Sequence, residues 1–437
     1  MMFVRDGVRL VLSLTVILGG ASVTRAGLSE YLKAADSSYR LDPIESRKTS
    51  AGTVHHFSLT SQTWQGIAWK HRLQIYEPKN YTHKDTVLLF ITGGGKDSVP
   101  GIEDETTGFL LAKLCDARCA ILPQVPNQPL LGNKTEDTLI AETFVRFLET
   151  KDENWPLLFP MVKSAVRAMD AIESWSREEG REPARRFVTT GASKRGWTTW
   201  LTASQDPRVI AIAPMVIDTL NMRKQNEHVM EIWGKPSEQI EDYEKRGLLS
   251  TEETPERLRL WKMVDPYTYR DQLKLPKLII NGANDRYWAL DALNLYWDGL
   301  EGPKWVVYVP NAGHSLETNR TYATHGIGAI FRHAATGRAV PKVSWKHDDD
   351  DGALRLTVES SPRPVSARVW TTTARTLDFR ESRWTDTPMN REGDRLIGRF
   401  QAPADDCAAI FGDLEFEIDG LKYHLSTQVR HVKASKK

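Results

Sequence analysis

An α/β architecture with a mostly parallel central sheet, a helical insertion and a small C-terminal antiparallel β-sandwich is what the sequence predicts. Three observations carry it. From about residue 85, short apolar runs alternate with helical stretches, the pattern of βαβ units. The first of these runs, Val87-Leu88-Leu89-Phe90-Ile91, is apolar at every position, which suits a strand buried on both faces. After about residue 340 the pattern becomes an alternation of apolar and polar residues, as in Leu354-Arg355-Leu356-Thr357-Val358 and Leu414-Glu415-Phe416-Glu417-Ile418. That is the signature of half-buried antiparallel strands.

The elements follow in order. Arg5 and Arg9 precede the apolar run from Leu10 to Gly20, which is too short to span a bilayer, and Thr24 and Ala26 are small. Residues 1–26 therefore read as a secretory signal peptide cut after Ala26, which sends the mature chain to the periplasm or outside the cell. Residues 28 to 80 include Leu73-Gln74-Ile75-Tyr76, expected to add antiparallel strands at the sheet edge. The strand Val87–Thr92 runs into Gly93-Gly94-Gly95. A helix is expected over Thr107–Leu114 and a strand over Cys119–Leu122. A long helix from Trp155 to Glu179 carries Val162, Ala165, Met169 and Ile172 on one stripe. Further strands are expected at Arg186–Thr190, Val209–Val216, Lys277–Asn281 and Trp305–Val309. Residues 218–270 are helical, charged and contain Trp233 and Trp261; they fall between two sheet strands and form a candidate lid over the strand ends. The division is thus a core at 27–338 and a sandwich at 339–437. The aspartates at 348–351 match no EF-hand spacing and are expected in a solvated turn.

Composition excludes some roles. Lys and Arg total 58 against 57 Asp and Glu, leaving +1. So balanced a chain has no field that would draw nucleic acid. Once the signal is removed, nothing in the sequence calls for a membrane. The cysteines are Cys115, Cys119 and Cys407, with no CxxC pair and no Cys/His group at zinc spacing, so neither metal nor cofactor is expected. An oxidising compartment would permit a Cys115–Cys119 bridge.

The chemistry centres on Gly191-Ala192-Ser193-Lys194-Arg195-Gly196. Ser193 follows a strand and precedes an apolar helix, the context in which a sharp turn projects a nucleophilic hydroxyl clear of a sheet. The second glycine of this turn usually comes two residues after the serine; here Arg195 stands there. A serine hydroxyl needs a base, and in this fold class the chain order is Ser, acid, His. Asp285 lies just beyond the strand Lys277–Asn281, and His314 just beyond the strand Trp305–Val309. Ser193, Asp285 and His314 are the predicted catalytic residues, with Asp291 the nearest rival for the acid. The backbone N–H of Lys194 is one predicted oxyanion donor; the other is expected from the loop Gly93-Gly94-Gly95, whose pattern does not single out a glycine, and Gly94 at its centre is taken as the candidate. Together these features predict an α/β-hydrolase that cleaves a small ester or a peptide through an acyl-enzyme. The alternative is a non-catalytic peptide- or glycan-binding protein on the same scaffold. A glycoside hydrolase would need a placed pair of carboxylates, which the sequence does not offer.

Several phrases resemble the PhoPQ-activated pathogenicity-related protein family, a bacterial branch of the α/β-hydrolases. They are Ser61-Gln62-Thr63-Trp64-Gln65, Thr92-Gly93-Gly94, Trp155-Pro156, Pro160-Met161-Val162-Lys163-Ser164-Ala165-Val166, Gly191 to Trp197, and Pro310-Asn311-Ala312-Gly313-His314. The resemblance runs from about residue 30 to the C-terminus. It implies a signal-bearing protein, a hydrolase core and an appended β domain, and makes the Lys-Arg-Gly ending of the serine phrase usual. The core is similar to that of prolyl-oligopeptidase-type peptidases, so a peptidase is plausible by analogy of fold.

Overall fold

A computed structural model describes residues 27–350 and 353–434. The expected signal segment lies outside the described residues. No helix among those described is long and apolar enough to cross a membrane.

Nine strands form the core sheet: β1 (Arg40–Lys48), β2 (Gly52–Trp64), β3 (Ile67–Pro78), β4 (His83–Ile91), β5 (Ala117–Leu122), β6 (Arg186–Ala192), β7 (Val209–Met215), β8 (Lys277–Gly282) and β9 (Lys304–Val309). Their spatial order is β1-β2-β3-β5-β4-β6-β7-β8-β9. The first three are antiparallel meanders, and β5 through β9 pair in parallel.

Alternation along the strands feeds two cores. In β4, Val87, Leu89 and Ile91 face the helices Glu136–Thr150, Leu158–Glu178 and Lys194–Gln205, whereas Leu88 faces the helices Ile102–Cys115 and Thr321–Thr336. Val306 and Tyr308 divide from Val307 and Val309 in the same way. A strand with period-two side chains and helices on both faces must be apolar throughout. The stripe Val162, Ala165, Met169 and Ile172 is fully buried, so that helix is held by its apolar face.

The C-terminal strands are β10 (Lys342–Asp350), β11 (Ala353–Ser361), β12 (Ser366–Ala374), β13 (Thr385–Pro388), β14 (Asn390–Glu392), β15 (Arg395–Phe400), β16 (Cys407–Ile418), β17 (Leu421–Ser426) and β18 (Arg430–Val432). One sheet runs β10-β11-β15-β14. The other, β17-β16-β12-β13 with β18 on β16, is continuous with the core sheet through Ser426 beside Val306 of β9. The sandwich therefore extends the core sheet, a junction that strand periodicity could not reveal.

One reading is corrected, and one left open by the sequence is answered. The aspartates at 348–350 lie in β10 rather than in a turn; Asp349 pairs with Arg430 and Asp350 with Arg399 across the strands. Salt-bridging side chains let an acidic run remain extended. Cys115 and Cys119 are free, and burial pushes both thiols up, so they are inert.

Candidate active site

Ser193 sits between the end of β6 and the helix Lys194–Gln205 with φ 57° and ψ −128°. A non-glycine residue there costs about 1–3 kcal/mol and persists only where neighbours enforce it. They do so here: its N–H donates to Met215 O (2.9 Å) at the end of β7, and its carbonyl accepts from Trp197 N–H (3.0 Å) in the helix. Val216, the residue after β7, also has positive φ (46°) and donates its N–H to Ile280 O (2.7 Å). Two strained turns on adjacent strands thus lock this edge of the sheet.

Arg195 explains the departure from the usual turn. Its Nε donates to Val125 O (2.6 Å), and Nη1 and Nη2 grip the Glu136 carboxylate at 2.8 and 2.7 Å. A Cβ on Gly93 would lie 2.5 Å from Nη2, so the guanidinium runs against the glycine loop. The helix is instead allowed its close approach by Gly196, where a Cβ would meet Ile217 Cγ2 at 2.7 Å. Gly94 has φ 109°, a conformation open to glycine alone. Neither the Gly94 nor the Lys194 N–H donates to a protein acceptor among the described residues. The Lys194 side chain turns away, to Glu136 (2.9 Å) and Asp137 (3.2 Å).

Asp285 and His314 meet. Asp285 Oδ2 accepts from His314 Nδ1 at 2.8 Å, while Oδ1 accepts from Tyr287 N–H at 2.9 Å. With Nδ1–H committed, the neutral ring carries its lone pair on Nε2. That atom is buried and has no hydrogen-bond partner. Ser193 and His314 are not hydrogen-bonded to each other. The Tyr287 ring stacks on the imidazole, centroids 4.0 Å apart, and also lines the cavity that contains Ser193. Burial pushes the Tyr287 hydroxyl up to about 12. Asp291, the rival acid, faces His228 and His431 instead.

The cavity beside Ser193 is largely apolar, walled by Phe144, Trp197, Ile217, Leu248, Leu260 and Trp261. Leu248, Leu260 and Trp261 come from the helical stretch between β7 and β8, which therefore covers Ser193. The carboxylate of Asp137 at the cavity wall is balanced by Lys194.

Behind Asp285 lies a second carboxyl, Asp218, fully buried and held by Asn281 Nδ2 (2.7 Å) and the Tyr296 hydroxyl. Burial raises it to about 6 from an ordinary 3.8, against those hydrogen bonds. The protonated form is favoured in the folded state, so its contribution to stability is complete below pH 4 and is lost as pH rises through 6. The span is roughly 3 kcal/mol. Replacing Asp218 by Asn should flatten that part of the profile. In urea unfolding at pH 4 and pH 8, the variant should gain on the wild type by an amount of this order; parallel profiles would contradict the assignment.

The C-terminal sandwich buttresses the site. Asn284, next to Asp285, donates through Nδ2 to Ser382 O (2.7 Å) and Phe379 O (3.2 Å). Asn311, near His314, exchanges hydrogen bonds with the Trp384 backbone at 2.8 and 3.0 Å. Sequence reasoning singled out Ser193, Asp285, His314, Lys194 and Gly94. It missed Glu136, Tyr287 and these asparagines. Arg195 was visible as an irregular turn residue, and Tyr287 stands two residues after Asp285; Glu136 left no signal.

This strand order, with a strained serine after β6 and an Asp–His pair on the ends of β8 and β9, defines an α/β-hydrolase fold. Residues 28–380 match the PhoPQ-activated pathogenicity-related protein family, and the chain belongs to it. It is 32% identical over 383 residues to autocrine proliferation repressor protein A of Dictyostelium discoideum, covering 83% of this chain and 77% of that one. Among solved structures it is similar to acetyl xylan esterase 1 from Thermoanaerobacterium sp. JW/SL YS485, at 15% identity, 70% of this chain, 93% of that one and a TM-score of 0.49. It is also similar to an S-formylglutathione hydrolase from Agrobacterium tumefaciens, at 13% identity, 68% and 99% coverage and a TM-score of 0.44.

Proposed function

We propose that this protein is an exported serine hydrolase acting on an ester or amide whose acyl side is apolar and uncharged. The observation that carries the reading is the imidazole of His314, fixed by Asp285 through Nδ1 and left bare at Nε2, on the sheet edge that presents Ser193. Ser193 Oγ attacks the carbonyl as Nε2 takes its proton, and Asp285 holds the tautomer and stabilises the imidazolium. The N–H groups of Lys194 and Gly94 receive the oxyanion. The same proton then goes to the leaving group, and water repeats the sequence on the acyl-enzyme.

The cavity argues for the acyl preference. Its walls are mostly apolar, Asp137 is neutralised by Lys194, and the Arg257 guanidinium is turned to Gly247 O at 2.8 Å. Each methylene buried there is worth about 0.8 kcal/mol, or about fourfold in kcat/KM. A fluorophosphonate probe should label the wild type and not Ser193→Ala, and kcat/KM on p-nitrophenyl esters should rise from acetyl to hexanoyl. A folded wild type that takes no label would overturn the hydrolase reading; a preference for acetyl would overturn the apolar one. Export is checked in the same sample, whose labelled chain should begin at Gly27. A second reading, ligand binding without turnover, draws on the Dictyostelium relative named for repressing proliferation. Labelling of Ser193 with turnover excludes it.

A further inference from the structure

His228, Asp291 and His431 come from three distant parts of the chain and converge on one point. His228 lies on the helix Met222–Trp233 of the covering stretch, Asp291 follows Asp285 on the same loop, and His431 is the middle residue of β18. His228 Nε2 stands 2.8 Å from Asp291 Oδ1, and His431 Nε2 stands 2.9 Å from Asp291 Oδ2. One donor atom from each residue falls within 4.8 Å of the others. The side chains are 14%, 14% and 17% exposed, so the point they share is sheltered but reachable.

His228 makes an ordinary hydrogen bond to Asp291, but the His431 contact is of another kind. His431 Nε2 is buried and lacks hydrogen-bond alignment although it lies close to the carboxylate. Neighbours hold it there: Gln428 Nε2 donates to Asn294 Oδ1 (2.6 Å), and Asn294 Nδ2 donates to Val429 O (3.1 Å), fastening the approach to β18 against the turn that follows Asp291. Two imidazole nitrogens and a carboxylate are a borderline-soft donor set that suits zinc and other first-row divalent ions rather than magnesium or calcium. Donors bound tetrahedrally at 2.0–2.1 Å stand about 3.3 Å apart, so an ion would widen the 2.8 and 2.9 Å contacts slightly and draw both imidazoles onto it from the two carboxylate oxygens.

We infer that His228, Asp291 and His431 bind a divalent transition ion of the zinc class, with water completing the coordination. None of the three lines the Ser193 cavity, so the ion acts as a staple and not as a Lewis acid on the substrate. It ties the covering helix, the loop that carries Asp285 and the C-terminal strand to one another. The inference is independent of the proposed hydrolysis.

The test uses the full mature chain after chelation and dialysis. Isothermal titration with zinc chloride should give one site per chain, with a rise in Tm; magnesium and calcium should give neither. Cobalt(II) should produce the visible absorption of a tetrahedral N/O site. His228→Ala, on a surface helix, should weaken zinc binding by at least about a hundredfold and remove the Tm rise. His431→Gln should do the same, and its far-ultraviolet spectrum checks the fold. A wild type that takes up no zinc, or variants that bind it as tightly, would overturn the assignment.

Discussion

Replacing Ser193 by alanine is expected to lower kcat/KM on the preferred ester by about 10^4- to 10^6-fold, and replacing His314 by alanine by a similar factor. On the proposed mechanism the double variant should be no worse than either single one, because nucleophile and base would act as a unit. Asp285→Asn should cost about 10^4-fold with little change in KM, since an amide at that position orients the wrong tautomer. Geometry sharpens the last expectation. Asp285 uses Oδ1 on Tyr287 N–H and Oδ2 on His314 Nδ1–H, so both its oxygens accept. An asparagine keeps one acceptor and must turn an NH₂ toward one of the two donors. Steady-state kinetics on a single ester checks all four variants. Losses that simply multiply, or a Ser193→Ala protein that keeps turning over, would remove the unit from the mechanism.

How much of this was legible in the sequence follows from the range of the forces involved. Ser193, Asp285 and His314 each stand just past an apolar strand, and strand ends of a parallel sheet share an edge; local pattern plus chain order was enough to place them at the ends of β6, β8 and β9. The same logic found the covering stretch between β7 and β8. What escaped depends on contacts between segments with no common pattern. Glu136 meets Arg195 only because the helix Glu136–Thr150 begins beside the glycine loop. Asn284 and Asn311 read as loop residues until the sandwich is docked against them. His228, Asp291 and His431 have no short-range spacing at all, and a search for metal motifs by spacing passes over them. The acidic stretch at 348–350 misled because the arginines that meet it, Arg430 and Arg399, come from strands distant in the chain, which periodicity cannot supply.

Arg195 offers the second large effect, and it separates positioning from folding. The side chain is 11% exposed and makes three hydrogen bonds: one to Val125 O and two to Glu136. Glu136 is 40% exposed and keeps Lys194 as a second cation. Burial works against its charge, but the Arg195 hydrogen bonds and the two cations outweigh it and hold the carboxyl well below the usual range. The loss of stability in Arg195→Met should therefore be about 2 kcal/mol, less than the 3–5 of a fully buried pair, because solvent and Lys194 compensate. The catalytic loss should be larger. The guanidinium packs against Gly93, so its removal frees the loop that carries the Gly94 N–H, and a misplacement of about 1 Å is worth about 10^2-fold in rate. That loss should fall on kcat with KM nearly unchanged, since the apolar cavity is walled by other residues. Arg195→Lys should not restore it, because an ammonium cannot grip the carboxylate in a two-pronged fork while also reaching Val125. A variant with lowered Tm and wild-type kcat would reduce Arg195 to a structural strut and leave the glycine loop to hold itself.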